Sequence, residues 1–306
     1  MSKSRVVELR FQLVLPEPKN QNDPIQVWLP IPISTPQQDV ISIQSGGTLP
    51  VSMGFDPIFG NAILHAATDG TDRGPVRIEY RALIERKEWK VNLAATQPLV
   101  LTRDVGLLAP QLSETRKIRF LPDIAKAASE IRTAKNGALE IARAAYDHVL
   151  ATMTYDKSGD GWGAGDTEYA CSMGKGNCTD FHTLFIAILR CCGVACEFEI
   201  GAAFPAGQQG GDITDYKCGY HCWVRFFVPE LGWVPADVSE ASRHPDKCNY
   251  FFGAIDEDRV MVSRGRDITM VPQSLGGPEN FFSEPRIEKR SGNSVIYEKK
   301  LEFSSF

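Results

Sequence analysis

Gly176-Asn177-Cys178-Thr179-Asp180-Phe181-His182 opens the most strongly patterned helix of the chain. From there Phe181, Leu184, Phe185, Ile188, Leu189 and Cys192 recur at spacings of three and four residues, one continuous apolar stripe. Asn177 suits the N-cap, Asp180 complements the positive helix end, and Gly193 stands where a helix commonly stops. Cys178 therefore falls in the first helical turn. Free backbone N–H groups and the helix dipole favour a thiolate there, and the same groups can stabilise an oxyanion on an attacked carbonyl. A cysteine in such a stripe is more often a small buried hydrophobe, so its partners decide the reading.

Those partners follow in order. After Gly193, residues Val194, Cys196, Phe198 and Ile200 alternate with Ala195, Glu197 and Glu199, as in a half-buried strand. A Gly-rich loop (205–219) then leads into a second strand pattern, Tyr220 to Val228, in which His221, Trp223, Arg225 and Phe227 share one face and Tyr220, Cys222, Val224 and Phe226 the other. Pro229-Glu230-Leu231-Gly232 turns the chain into Trp233-Val234-Pro235-Ala236-Asp237. If 227–231 form the hairpin loop, Phe226 faces Gly232 and His221 faces Asp237. Directly opposed residues stand about 5 Å apart at Cβ, which suits a carboxylate holding an imidazole. A loop one residue shorter breaks that pairing, and Pro235 can introduce a bulge. A thiol at a helix start, an imidazole and a carboxylate are the parts of an activated sulfur nucleophile.

Other chemistries fit less well. Cys218, His221 and Cys222 offer soft ligands, but the chain lacks the paired Cys-x2-Cys or His-x3-His knuckles of a zinc site, so no metal and no cofactor is expected. The loop Gly159-Asp160-Gly161-Trp162-Gly163 has neither a phosphate-loop ending nor the Glu of a calcium loop, and reads as the rim of an active site. Trp162 and Tyr169 are its candidates for a second oxyanion donor, and Trp223 is a further pocket candidate. His182, one turn beyond Cys178, takes a supporting place, and His148 on its own helix reads as a filler.

Composition sets the bounds. The chain has 306 residues, 43% hydrophobic and 23% charged, with a net charge of -5. That is an ordinary globular balance without the basic stretch a nucleic-acid surface needs. No apolar run approaches the roughly 20 residues of a membrane span. Eight cysteines, all in the second half and two of them adjacent (Cys191, Cys192), suggest reduced thiols. Met1–Ser4 leads into a strand pattern with no leader, so the expected location is cytoplasmic, the alternative being a periplasmic or secreted protein whose leader was removed.

Residues 5–90 alternate with period two: Val7, Leu9, Phe11, Leu13 and Leu15, and later Val76, Ile78, Tyr80, Ala82 and Ile84. Short apolar runs broken by Pro and Gly lie between them, the pattern of a β-sandwich. Helical periodicity takes over at Pro122–Ile131 and after Asn136, and a closing strand pattern ends the chain over Asn293–Phe306, able to return to the N-terminal sheet. The expected class is α+β: a β-sandwich over 1–95, a linker and helical bridge over 96–135, a catalytic domain over 136–275, and a C-terminal extension over 276–306.

Three motifs carry a resemblance: Gly176-Asn177-Cys178-Thr179-Asp180-Phe181 before an apolar helix, His221-Cys222-Trp223 in a strand, and Gly232-Trp233-Val234-Pro235-Ala236-Asp237 after a hairpin. Over roughly residues 135–270 the chain resembles the transglutaminase-like superfamily, most of all bacterial members with an N-terminal β domain. The resemblance implies a papain-like core with the nucleophile helix packed on an antiparallel sheet. It implies Cys178 as nucleophile, His221 as general base and acid, Asp237 as its orienter, and a peptide or protein amide as substrate. Animal cross-linking members place Gln and Trp around the cysteine where Asn177 and Thr179 stand here, and Val238-Ser239 replaces the Pro-Thr that follows the aspartate in many relatives. Hydrolysis by an amidase or peptidase is therefore expected ahead of transamidation or of a non-catalytic binding module on the same fold.

Overall fold

The computed structural model describes residues 3–16, 23–69, 74–95, 108–205, 211–213, 220–292 and 295–306. Seven strands come first: β1 (Ser4–Leu15), β2 (Ile25–Ile31), β3 (Gln38–Gly47), β4 (Val51–Phe55), β5 (Ala62–Ala67), β6 (Val76–Lys87) and β7 (Trp89–Lys90). A mixed stretch follows, with α1 (Ala109–Leu112), α2 (Pro122–Ala134), α3 (Ala138–Thr152), β8 (Thr154–Tyr155), α4 (Thr167–Met173), β9 (Lys175–Gly176) and α5 (Cys178–Cys191). The chain ends with β10 (Cys196–Ala203), β11 (Gly211–Ile213), β12 (Tyr220–Val228), β13 (Gly232–Ala236), α6 (Val238–Arg243), β14 (Ala254–Ile255), β15 (Arg259–Arg264), β16 (Arg286–Lys289) and β17 (Glu298–Ser305).

Contacts divide the chain into two compact units, one of Met1–Glu88, Ile200–Tyr220 and Asp256–Phe306, the other of Trp89–Glu199 and His221–Ile255. The units are thus interleaved along the chain, whereas the sequence suggested consecutive segments bounded near 95, 135 and 275. Of the expected bridge, residues 96–107 lie outside the described residues, as do Cys218 and the start of the closing-strand pattern at 293–294.

The first unit is a β-sandwich. Strands β1 and β6 pair antiparallel from Ser4↔Lys87 to Leu15↔Val76, and their alternating apolar residues are all buried. The alternation exists because only one face of this sheet meets the core. Strand β17 flanks β1, with Phe303 opposite Leu9 and Leu301 opposite Phe11, giving the order β11-β17-β1-β6-β3. A second sheet, β16-β2-β5-β4, contributes Ile25, Val27, Leu29 and Leu64 to the same core, and Ala202, Phe204, Val260 and Val262 join it from the later segments.

The second unit is built on α5. Every residue from Cys178 to Arg190 is buried, because α2, α3, α4 and α6 all pack on it. The sequence stripe marked only one side of this helix; its central place buries the rest. Phe185 meets Tyr146 of α3 and Phe226 of β12 edge-on, with ring centroids 6.1 and 6.3 Å apart. Buried Arg190 is satisfied by carbonyls, Nε and Nη2 donating to Cys196 at 3.0 and 2.8 Å and Nη1 to Ser113 at 2.7 Å. Strands β10, β12 and β13 run side by side in this unit. Their hairpin corrects one expectation: Val228 pairs with Gly232 and Val224 with Ala236. The loop is therefore Pro229-Glu230-Leu231 rather than 227–231, and the register lies two residues from the expected one. Pro235 sits opposite Arg225 within continuous pairing, without a bulge. No helix among the described residues is long and apolar enough to cross a membrane.

Candidate active site

The start of α5 is held by a reciprocal cap. Asn177 Oδ1 accepts the Thr179 N–H at 2.9 Å, and Asp180 Oδ2 accepts the Asn177 N–H at 3.0 Å. The second of these bonds, together with one from the Asp180 N–H to the Asn177 side chain, forms a capping box. The Cys178 N–H, the first donor of the helix, is not one that these side chains occupy. Asp180 also reaches the rim loop, accepting the Gly163 N–H at 2.7 Å and the Gly165 N–H at 3.1 Å. Burial raises its pKa, and those backbone N–H bonds oppose the shift. Gly176 is required by this carboxylate: a Cβ there would stand 2.3 Å from Asp180 Oδ2, at a backbone φ of 155°. The spacing Gly-x-Cys-x-Asp thus has a mechanical cause.

Cys178 is 3% exposed. Its thiol pKa is held well below the ordinary value, first by a hydrogen bond from Cys222, against burial, and then by the hydrogen bond and charge of His221. His221 Nε2 donates to Asp237 Oδ2 at 2.7 Å, which leaves Nδ1 as the ring nitrogen for Cys178. Burial opposes charge on this imidazole, but the Asp237 carboxylate and the Cys178 sulfur outweigh it, and its pKa is raised to about 10. Each of the two groups thus favours the charged form of the other. The two-residue difference in register left this contact intact, because an even shift keeps a side chain on its own face of the sheet.

Asp237 is itself fixed from several sides. Its Oδ1 accepts the Ser239 hydroxyl and the Glu240 N–H, both at 2.9 Å, so it caps α6 while its other oxygen holds His221. His182 is fully buried and accepts the Val238 N–H on Nε2 at 3.2 Å, which puts its ring proton on Nδ1, 3.4 Å from Cys222 Sγ. The same Nε2 stands 3.4 Å from Asp237 Oδ1, but with the Val238 N–H as its donor it has no proton to share there. His182 thus ties α5 to the start of α6.

Two contributors were not singled out from the sequence. Cys222 was assigned to the strand face opposite His221, yet it hydrogen-bonds Cys178; burial and the neighbouring thiolate push its own pKa well up, so it remains a donor. Tyr155 pairs with Gly176 across a short parallel bridge, and burial followed by the Cys178 charge raises its phenol pKa. The only signal for Tyr155 is its place just before the loop Gly159–Gly163. The three pocket candidates fare differently. Trp162 is half-buried in the loop that Asp180 anchors, with the Lys157 ammonium 5.9 Å from its ring. Tyr169 packs on Gly161, where a Cβ would meet its ring at 3.0 Å. Among the described residues no hydrogen bond joins either side chain to Cys178. Trp223 is fully buried and commits its indole N–H to Glu199 at 2.5 Å, so it supports the strand and does not donate into the pocket. No group of three or more metal-ligating side chains occurs among the described residues.

The chain is similar to several known proteins. Residues 125–238 match the model of the transglutaminase-like superfamily. An uncharacterized protein of Haemophilus influenzae (strain Rd) is 24% identical over 319 aligned positions, covering 91% of this chain and 84% of that protein. Among solved structures, a candidate cysteine protease from Cytophaga hutchinsonii superposes with a TM-score of 0.67 over 99% of this chain and 91% of its own, at 14% identity. The periplasmic domain of TgpA from Pseudomonas aeruginosa is also similar, with a TM-score of 0.40, 14% identity and coverage of 79% and 90%. Residues 125–238 are thus similar to the transglutaminase-like superfamily, and the whole chain shares the mixed α and β fold of the Cytophaga hutchinsonii structure.

Proposed function

We propose that the protein is a cysteine-nucleophile amidase or peptidase acting through Cys178, His221 and Asp237. One observation carries the reading: a single imidazole hydrogen-bonds a buried carboxylate at 2.7 Å and the thiol at the head of a helix. In the proposed reaction the Cys178 thiolate attacks an amide carbonyl, with its own N–H as one oxyanion donor. The His221 imidazolium passes a proton to the departing amine as the C–N bond breaks, leaving a thioester. The neutral imidazole then takes a proton from water, whose hydroxide displaces the sulfur and restores the thiolate. Asp237 keeps the ring in the tautomer and orientation both steps need. An amine in place of water would complete a transamidation by the same first half; the residues flanking Cys178 favour hydrolysis. A nucleophile of this kind works only as a free thiol, in keeping with the reduced thiols expected from cysteine usage.

The test is site-resolved alkylation by iodoacetamide across pH, followed by a screen of peptide and side-chain amides with and without monodansylcadaverine. Cys178 should react fastest at pH below the ordinary thiol range, and His221→Ala should abolish that advantage. Product amine without incorporated dansyl label marks hydrolysis, whereas covalent dansyl label marks transamidation. Cys178 reacting no faster than the other thiols would remove the enzyme reading altogether.

A further inference from the structure

The sandwich unit contains a cavity of about 470 Å³, within the range of roughly 300–1,000 Å³ typical of small-molecule sites. Its wall is a transverse row on three adjacent strands: Leu301 of β17 pairs with Phe11 of β1, and Phe11 with Tyr80 of β6. The Phe11 and Tyr80 rings stack at 5.5 Å and 10°. Two hydroxyls line this space with no hydrogen-bond partner among the described residues. Tyr80 is 2% exposed, and none of the described residues hydrogen-bonds its hydroxyl, so burial alone shifts its acidity. Ser283 Oγ is buried and likewise unsatisfied. A buried hydroxyl without a partner is costly and calls for a bound group. The space is many times the roughly 30 Å³ of one water, and apart from Glu284, Lys299, Lys300 and Glu302 its lining is mostly aromatic and aliphatic.

The charge at the rim selects among ligands. Lys299 pairs with Glu284 and Lys300 with Glu302, so each ammonium is already neutralised and a charged head group would have to break a pair. We propose that this cavity binds a neutral amphiphilic small molecule, an apolar chain or ring system bearing one hydroxyl or amide that Tyr80 and Ser283 hydrogen-bond. The site shares no residue with the Cys178 arrangement, so it stands whether or not that arrangement is an enzyme.

The test uses the full chain and N-phenyl-1-naphthylamine, a neutral aromatic amine whose emission rises in apolar surroundings. Its emission should saturate at one equivalent and be reversed by 1-decanol, with decanoate at least about tenfold weaker as a competitor. Removing both hydroxyls (Tyr80→Phe with Ser283→Ala) should weaken 1-decanol by about tenfold, the scale of two lost neutral hydrogen bonds. Leu301→Trp, at a half-buried wall position, and Ala202→Leu, at a buried one, should each abolish the signal while circular dichroism remains native. Absence of saturable emission with the wild type would overturn the proposal. So would decanoate matching 1-decanol, or emission untouched by whichever filling variant folds.

Discussion

At Cys178 the largest contribution to the lowered thiol pKa comes from another thiol. Cys222 donates to Cys178 and remains protonated because burial and the adjacent negative sulfur raise its own pKa. A hydrogen bond to a charged group is worth about 1.5–3 kcal/mol, or roughly one to two pKa units. Cys222→Ala should therefore move the pH at which iodoacetamide reactivity of Cys178 reaches half its plateau upward by about one unit. Cys222→Ser keeps a donor and should move it much less. An Ala variant with an unshifted profile would mean that His221 alone sets the thiolate. The proposed reaction also needs the imidazolium, whose pKa is raised to about 10. The expected kcat/KM profile is a broad bell: it rises well below the ordinary thiol range as Cys178 ionises, then falls near pH 10 as His221 loses its proton. Asp237→Asn removes the carboxylate that most raises the His221 pKa, so the alkaline limb should move toward neutral pH. Cys178 was legible at this scale, because helix caps and an apolar stripe are local signals. Cys222 and Tyr155 were not, because their approach to the sulfur depends on how distant segments meet.

The element that positions the sulfur is α5, and its N-terminus depends on a close backbone approach. Gly176 lies over Asp180, with 2.3 Å between a hypothetical Cβ and Oδ2, while that carboxylate gathers N–H groups from Gly163, Gly165 and Asn177. Gly176→Ala must either displace Asp180 or strain a backbone φ of 155°, at a cost of about 1–3 kcal/mol. It should also loosen the rim loop. The expected outcome is a lowered urea midpoint with an unchanged slope, together with earlier hydrogen exchange at the Gly163 and Gly165 amides. A variant with wild-type exchange at both amides would show that the loop is held by something other than Asp180. Deeper in the helix, Phe185→Ala removes a ring packed between α3 and β12 and should cost about 3–5 kcal/mol, read from the same denaturation curves. The hairpin carrying His221 and Asp237 shows where element-level reading fails. Strand patterning fixes which face a residue takes, but it leaves even slips undecided, since pairings two residues apart satisfy the same alternation. The turn settles it: the Leu231 N–H bonds the Val228 carbonyl at 3.0 Å and closes the loop two residues sooner than the pattern suggested.

Across the whole molecule, sequence order and spatial grouping part company. The period-two signals of β1 and β6 identified the sandwich, because strands that bury one face must alternate. They carried no information about which later segments complete it. Strand β17 pairs with β1 from Val7↔Ser305 to Val14↔Glu298, and Phe303 is 1% exposed in the shared core. Phe204 packs on Phe303 with ring centroids 4.2 Å apart, and Arg5 donates from Nε to Ser305 Oγ at 2.8 Å. The end of the chain is therefore structural to its beginning. Deleting residues 293–306 would strip one flank from β1 and expose its buried row. Loss of the Phe303 and Leu301 side chains from the core alone corresponds to about 1.5–3 kcal/mol for each fully buried residue, and less for Leu301, which is only partly buried. The deletion should lower the melting temperature markedly and abolish slow hydrogen exchange in β1 and β6. Phe306→Ala provides the control, since that side chain is 73% exposed and its loss should leave both measurements unchanged. If the deletion melted like the full chain with β1 still protected, β17 would be an ornament on an otherwise complete sandwich, and the core would have to close through β6 and the second sheet alone.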